Sequence, residues 1–491
     1  MSFLGIDIGT SQTKAVAYDE QMTPLAQAGV AYERSYPRPG WCEIDPRNQA
    51  DAIRKVVGQC AAQCGKDRIR SLSFSVFGGG ISAVDAQGRP LLPIISTTDN
   101  RAEEEAAVWA RQFGRQRAYR ITGITTHASL MLPKVHWIRK HFDPPESIDR
   151  FVTAAELAVA ALAVTPRMDT ATASTTMLMD IAAKQWSMEI LEAAELPPCL
   201  LPPLIPSGDI VGDIPSSTCG DLGLAPRCLL VAGGHDQQVC ALGAGLTVPG
   251  QATDSLGTVE CIATLFDRPR LVDDLLQHNF SNLLHVYGEK IASLAYNFSS
   301  GDLLRWYRDT FQQDADSFDD LFVHLPDQPA SVLVLPHFAG SGTPHLDVRS
   351  KGAILGLSHA TDRRDILRGI VDCQNYEMRL NLEIWRRNGI ACDTLRVYGK
   401  GSASDRLMQI KADILGLAVE RLAVVETGCL GAALLAARAA DPAFVMEDAL
   451  QKVVRCECRF EPRRETAAAH GDRYALYRDL YPSLRTLLHR M

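Results

Sequence analysis

The sequence predicts an α/β protein of two domains built on one plan. Three observations lead there. The chain has 491 residues, well past the size at which one hydrophobic core stops growing. Strand-like and helix-like apolar patterns alternate up to about residue 190. The opening strand, Gly-Thr turn, strand pattern then returns at mid-chain, with Gly9-Thr10 and Gly257-Thr258 standing 248 residues apart.

The elements follow in order. "FLGIDI" and "TKAVAYD" are strands joined by the short turn "GTSQ", which makes a hairpin. "NQADAIRKVVGQCAAQC" places apolar residues at helical spacing, and "IRSLSFSVF" reads as a strand. "LPPCLLPPLIPSGDIVGDIP" holds six prolines, so it is neither helix nor central strand but a connector over the surface. "LLVAGGHDQQVC" runs from an apolar strand through Gly233-Gly234 to a single carboxylate, Asp236. "ATDSLGTVECIATLFD" repeats the opening hairpin. "LRVYGKGSASDRLMQIKADILG" is strand, Gly/Ser loop and helix, and "ETGCLGAALLAARAA" is a helix of small residues suited to close packing. The terminal helix "DRYALYRDLYPSLRTLLHR" carries a kink or break at Pro482. The expected division is 1–245, 246–440 and a helical extension, 441–491.

Composition is that of a globular protein, and a net charge of −8 argues against nucleic acid or an anionic membrane as partner. Thirteen scattered cysteines without paired metal spacing suit free thiols in a reducing cytoplasm. The N-terminus reads as no signal peptide, and no uncharged apolar stretch approaches a membrane span.

The Gly-Thr turns expose backbone N–H groups and hydroxyls, a cradle for phosphate oxygens. Thr10, Ser11 and Thr13 at one turn and Thr258 at the other would hold a polyphosphate between domains; each turn alone also reads as a plain hairpin. There is no G-x-x-x-x-G-K-[ST] loop and no G-x-G-x-x-G fingerprint, which argues against P-loop kinases and nicotinamide dehydrogenases. Asp7, inside an apolar strand, is either a Mg²⁺ residue acting through water or an edge aspartate paired with Lys14. Asp236 is either a helix N-cap or a general base at a strand end. In "SVFGGGISAVD" and "STTDNRA", Phe77, Gly78, Gly79, Asp99 and Arg101 follow strands and fit a polyhydroxyl ligand; Asp99–Arg101 also reads as a surface pair worth little. His337 and His345 flank "FAGSGTP" without a third ligand at metal spacing and read as loop histidines.

These segments, in this order, resemble the FGGY carbohydrate kinases. "GIDIGTSQTKAVAYD" is similar to the family's first phosphate motif, and "PGWCEIDP", "LPKVHWI", "TASTTMLMDI", "GGHDQQVCALGAG", "DSLGTVE", "SGTPHLDVRSKGAILGLS" and "GKGSASDRLMQIKADILG" to its later landmarks. The resemblance spans residues 3 to 438. It implies two actin-like (ribonuclease-H-like) domains with an interdomain cleft, the sugar mainly on the first and ATP mainly on the second. It implies Asp236 as catalytic base, with Gln237 beside it at the sugar, and Asp7 with Asp236 around Mg²⁺. Gly9, Thr10, Ser11, Gly257 and Thr258 would meet the ATP phosphates, and Gly399, Gly401 and Ser402 the adenosine, with Ser404 and Asp405 at its border. Dimers are common in the family, an analogy that allows a homodimer.

The departures bear on the acceptor. "VFGGGIS" replaces both the Met-His pair of xylulokinases and the Arg-Glu pair of glycerol kinases, and with Glu260 is nearer to fuculokinase-type members. "PGWCEIDP" is nearer to the xylulokinase type. "ISTTDNRA" lacks a tryptophan common before that Asp-x-Arg, Lys400 stands where glycine is usual, and Gly369 replaces another small residue. The leading expectation is an ATP-dependent kinase for a primary hydroxyl of a ketopentose or 6-deoxyketohexose. A polyol or branched-sugar kinase, a non-catalytic sugar or nucleotide sensor, and another actin-like ATPase are the competing readings.

Overall fold

The computed structural model describes residues 2–66, 68–312, 318–323, 325–424 and 426–491. Two large mixed sheets dominate it. In the first, β1 (Ser2–Ile8) and β2 (Gln12–Tyr18) form the predicted hairpin, with Asp7 opposite Lys14. β3 (Pro24–Ala31) extends it antiparallel. β4 (Ile69–Val76) lies parallel to β1, and the order is completed by β5 (Ile210–Asp213) and β6 (Leu229–His235) as β5-β6-β4-β1-β2-β3. β1 and β4 are almost wholly buried, as expected of parallel neighbours covered on both faces. α1 (Pro46–Cys64) connects β3 to β4; Asp45 caps it by accepting from Arg47 N at 2.9 Å, and Ile53, Val56, Val57 and Cys60 form its buried stripe.

The second sheet contains β7 (Gly250–Leu256), β8 (Glu260–Phe266), β9 (Leu283–Leu284), β10 (Ile291–Asn297), β11 (Cys392–Tyr398), β12 (Ala418–Leu422) and β13 (Cys456–Phe460), in the order β9-β10-β8-β7-β11-β12-β13. Its inner run β10-β8-β7-β11-β12 repeats β3-β2-β1-β4-β6 in order and in strand direction. A hairpin in the middle flanked by parallel strands is the actin-like plan twice over.

α2 (Asp236–Gly243) follows β6, α3 (Arg363–Arg387) precedes β11, and α4 (Asp405–Leu415) joins β11 to β12. α5 (Thr427–Ala440), the small-residue helix, leaves the second sheet but packs on β1, β4 and α2 of the first. Its glycines and alanines let backbones meet: a Cβ on Gly5 of β1 would stand 2.8 Å from Ala433 N. A small sheet of Glu43–Ile44, Ile94–Ile95, Ile81–Val84 and Arg150–Thr153 sits beside the first large one.

The proline-rich connector does contribute two short strands, Leu204–Ile205 beside Met168–Asp169 and β5 at the edge of the first large sheet, and its six prolines all lie outside them. The stretch 441–491 is not helix alone, since β13 pairs with β12. α6 (Arg464–Leu488) runs through Pro482 unbroken, anchored by buried Tyr474, Tyr477, Leu480, Tyr481 and Leu488 on both sides of it. That burial outweighs the hydrogen bond proline removes. No helix among the described residues is long and apolar enough to cross a membrane.

Candidate active site

The parallel register aligns the ends of three neighbouring strands, Ile8 opposite Val76 and Val76 opposite His235. The residues just beyond, Gly9, Phe77 and Asp236, therefore lie side by side. Asp7 points into this ridge. It sits on a central strand, not an edge, and Lys14 pairs instead with Glu426 at 2.9 Å. Ser75 Oγ donates to Asp7 Oδ1 at 2.6 Å. Burial pushes the Asp7 carboxyl up to about 6 against that hydrogen bond, and the charge of Asp236 adds to the rise. Two neighbouring carboxylates, one costly to ionise, make a place where a cation would be welcome. Gly428 of α5 lies directly above; a Cβ there would be 2.8 Å from Asp7 Cγ.

Asp236 is half-buried and opens α2 as its first helical residue. The capping position belongs to His235, whose backbone is still extended (φ −59°, ψ 135°). The N-cap reading of Asp236 is thereby corrected: among the described residues its Oδ1 accepts a hydrogen bond only from the adjacent Gln237 N, at 2.7 Å. The carboxylate is left facing outward from the strand end. Cys261 on β8 of the second sheet feels its charge, after a larger effect of burial, so the two sheets approach each other here.

Gly9 N donates to Gln12 O at 2.9 Å, closing the first turn, and Tyr32 OH donates to Gly9 O. Thr10 is half-buried at the tip and Ser11 exposed. At the second turn Gly257 and Thr258 are exposed, and their carbonyls accept from Gly301 N at 3.1 Å and Ser300 N at 3.3 Å. Gly399 adopts φ +93°, a conformation that favours glycine, and a Cβ there would be 2.6 Å from Leu256 O. The Gly/Ser loop is thus pressed against the end of β7, beside Gly257. Gly401 is exposed, and Ser402 Oγ is turned inward onto Gly399 O at 2.8 Å. Ser404 caps α4, accepting from Leu407 N at 3.4 Å, and Asp405 pairs with Arg421 at 2.6 Å. Ser300 and Gly301 were missed by sequence reasoning, for want of any motif around them.

Around the first ridge, Phe77 is a core side chain. Gly78 and Gly79 are half-open; a Cβ on Gly78 would fall within the His235 ring, and one on Gly79 would be 2.7 Å from Ser129 O. Thr97 donates to Gly78 O. Lys134 is wholly buried behind them, its ammonium donating to Gly79 O and Ser96 O, each at 2.7 Å. Burial lowers its pKa to about 7, and Asp99 opposes that.

Asp99 and Arg101 lie a layer further back. Their side chains are 0% and 3% exposed, so the surface-pair reading is overturned. Asp99 accepts from Cys42 N at 2.6 Å, Arg101 N and Nε at 2.9 Å and Arg101 Nη2 at 2.7 Å. Arg101 also reaches Glu43 at 2.8 Å and lies 3.8 Å over the Trp41 ring and 5.0 Å from that of Trp137. Both charges are used up inside the protein. Glu260 belongs to another buried set: Lys411 bridges it, at 2.5 Å, to Asp254, at 2.8 Å. His337 bonds Ser350 Oγ at 2.7 Å and His345 stacks on Tyr481. Among the described residues no group of three His, Cys, Asp or Glu could hold a metal on its own.

Comparison with known proteins adds the following. Residues 2–243 match the N-terminal domain, and residues 253–440 the C-terminal domain, of the FGGY family of carbohydrate kinases. The xylulose kinase of Staphylococcus epidermidis is 26% identical over 99% of this chain and 97% of its own. The glycerol kinase of Verminephrobacter eiseniae is 29% identical over 95% of this chain and 96% of its own. The crystal structure of the xylulose kinase from Rhodospirillum rubrum superposes with a TM-score of 0.89 over the whole of both chains at 23% identity, a likeness of fold.

Proposed function

The chain belongs to the FGGY family of carbohydrate kinases, and from that premise we propose that it transfers the γ-phosphoryl group of ATP to a primary hydroxyl of a ketose, a ketopentose or a 6-deoxyketohexose, in the cytoplasm. One observation carries the reading: Asp236 stands free of the helix-capping role at the end of β6, beside Asp7, with β8 of the second sheet within reach of its charge.

The roles follow from placement. Asp236 accepts the proton of the attacking hydroxyl. Gly9, Thr10 and Ser11 on one side and Gly257 and Thr258 on the other offer N–H and hydroxyl donors to phosphate oxygens. Gly399, Gly401 and Ser402 border the nucleotide. Asp7 and Asp236 would hold Mg²⁺, Asp7 through water; the paired carboxylates and the raised pKa of Asp7 fit a hard cation that takes few protein ligands. Mg²⁺, when bound, supplies charge neutralisation at the β and γ phosphates. Gly78 and Gly79, packed against His235 and Ser129, border the acceptor, and Gln237 flanks it. Asp99 and Arg101 lie behind them, tied to each other and to Cys42 and Glu43, rather than touching sugar.

Neither relative singles out the acceptor, since xylulose and glycerol kinases match at 26% and 29% identity. A polyol acceptor remains the second reading, favoured by the match to a glycerol kinase over 95% of this chain. The test is ADP release with Mg-ATP across ketopentoses, 6-deoxyketohexoses, branched sugars and polyols, wild type beside Asp236→Asn. Turnover on one class, lowered by roughly 10²–10⁴ in the variant, is expected. Sugar-independent ATP hydrolysis that survives the substitution would refute it.

A further inference from the structure

The stretch "SGTPHLDVRSKGAILGLS" found no place in the active site, and its His345 and Arg349 line a different cavity. That cavity, of about 680 Å³, lies between the two domains. It falls within the roughly 300–1,000 Å³ of small-molecule sites. Asn100, Ala107, Arg115 and His127 belong to its first wall, from the N-terminal domain. His345, Arg349 and, on α6, Arg485 belong to the opposite wall. None of Gly9, Gly78, Asp236, Gly257 or Gly399 lines it. The loop carrying His127 stands between the cavity and the acceptor side: His127 Nδ1 bonds Ser129 Oγ at 2.8 Å, and the Ser129 carbonyl faces Gly79.

Three guanidiniums line this space, and none has a carboxylate partner among the described residues. Arg115 donates to Asn279 Oδ1 at 2.6 Å, and Arg349 meets His489 Nδ1 at 3.2 Å. Arg485 is exposed and makes no ion pair. The lining holds two carboxylates. Asp347 is already taken by Tyr481 OH at 2.7 Å and His489 Nε2 at 2.5 Å, which leaves the exposed Glu103. On a chain of net charge −8 this is a local excess of positive charge. A guanidinium offers a planar fork that suits phosphate or carboxylate oxygens. Asn100, Thr126 and the His345 ring add donors and acceptors for hydroxyls.

We propose that this cavity is a second binding site, outside the active site, for a small hydroxylated dianion, a phosphate monoester or a dicarboxylate, held by Arg115 from one wall and Arg349 and Arg485 from the other. A ligand that touches both walls binds one arrangement of the domains better than another, so its occupancy is coupled to the domain closure that turnover requires. The coupling, unlike the binding, rests on the kinase reading above.

The experiment titrates the full chain with glycerol 2-phosphate and with malate by calorimetry at constant ionic strength. Saturable binding of at least one is expected, and which one binds tells phosphate from carboxylate. Arg349→Ala combined with Arg485→Ala should weaken it by roughly tenfold or more per guanidinium removed, as expected for hydrogen bonds between charged groups. Ala107→Trp fills the cavity while leaving every charge in place, and should weaken binding comparably. Binding should survive both a saturating non-hydrolysable ATP analogue and Asp236→Asn. Displacement by the analogue, unchanged affinity in the arginine or the Ala107 variant, or no binding of either probe would overturn the site. The bound probe should also change kcat twofold or more in the wild type and not in the arginine variant, whose kcat without probe should stay near normal. An unmoved kcat would overturn the coupling. Lack of turnover on every acceptor would strike the kinase reading and leave the binding result standing.

Discussion

Arg101→Ala separates two roles for one residue. If the side chain bound sugar, its loss would raise the acceptor KM and leave the fold intact. The structure predicts the reverse. Arg101 supplies three of the four hydrogen bonds to Asp99, two of them from its guanidinium, and its side chain is 3% exposed. Truncation leaves Asp99, fully buried, with only the N–H groups of residues 42 and 101. Removing one partner of a buried pair costs about 3–5 kcal/mol. The lost stacking on Trp41 adds to this. In a folding unit that takes in nearly the whole chain each kcal/mol moves Tm by about 1 °C, so a fall of roughly 3–5 °C is expected in a thermal scan. Arg101→Lys keeps the charge but not the planar fork and should fall between. Replacing both partners, as Asp99→Asn with Arg101→Met, should recover most of the loss. A Tm within 2 °C of wild type together with a raised acceptor KM would refute the reasoning, and Arg101 would return to the sugar site.

Further outcomes follow from the same geometry. Lys134→Met leaves Gly79 O and Ser96 O without donors, which costs about 1–3 kcal/mol each, and should raise the acceptor KM. Its pH signature is specific: the folded pKa, about 7 against an ordinary 10.5, means the unfolded chain binds the proton more tightly between those values. Wild-type stability relative to Lys134→Met should therefore rise from pH 7 to pH 10, and a flat difference in urea midpoints would contradict this. Gly428→Ala places a methyl 2.8 Å from Asp7 Cγ and should lower kcat by at least roughly tenfold with little change in acceptor KM; unchanged kcat would show that Asp7 has room to move. Lys411→Met leaves Asp254 and Glu260 buried together and should cost about 3–5 kcal/mol. Burial already raises both carboxyls, so the folded state favours their protonated forms and the variant should be weakest at alkaline pH in unfolding scans.

The two hairpins were legible because their signals are local: alternation, a Gly-Thr turn, alternation again, and the same lengths 248 residues on. Asp7 and Asp236 stood out for the same reason, each a lone carboxylate at the end of an apolar run. Lys134 was not legible. In "LPKVHWI" it reads as a solvated position of a short helix, and only the loops at 79 and 96, 55 and 38 residues away, enclose it. Asp99–Arg101 was ambiguous for a related reason. An i, i+2 pair looks alike inside and outside, and what decides is Trp41 and Trp137, brought in by tertiary contact. The direction in which a strand end faces was likewise beyond local pattern. Moving the cap by one residue, from Asp236 to His235, turned a structural carboxylate into an available one.

The packing of α5 on β1 and β4 bears on how the protein is made. Residues 2–235 supply the first sheet, but one wall of its core arrives only with Thr427–Ala440. A nascent chain emerging from the ribosome at roughly 5–20 residues per second spends tens of seconds with that apolar face uncovered. The N-terminal half therefore cannot finish folding in order of synthesis; it must wait for almost the whole chain. A fragment ending near residue 245 should be a client of chaperones rather than an independent unit, and adding the complementary fragment in trans should rescue it.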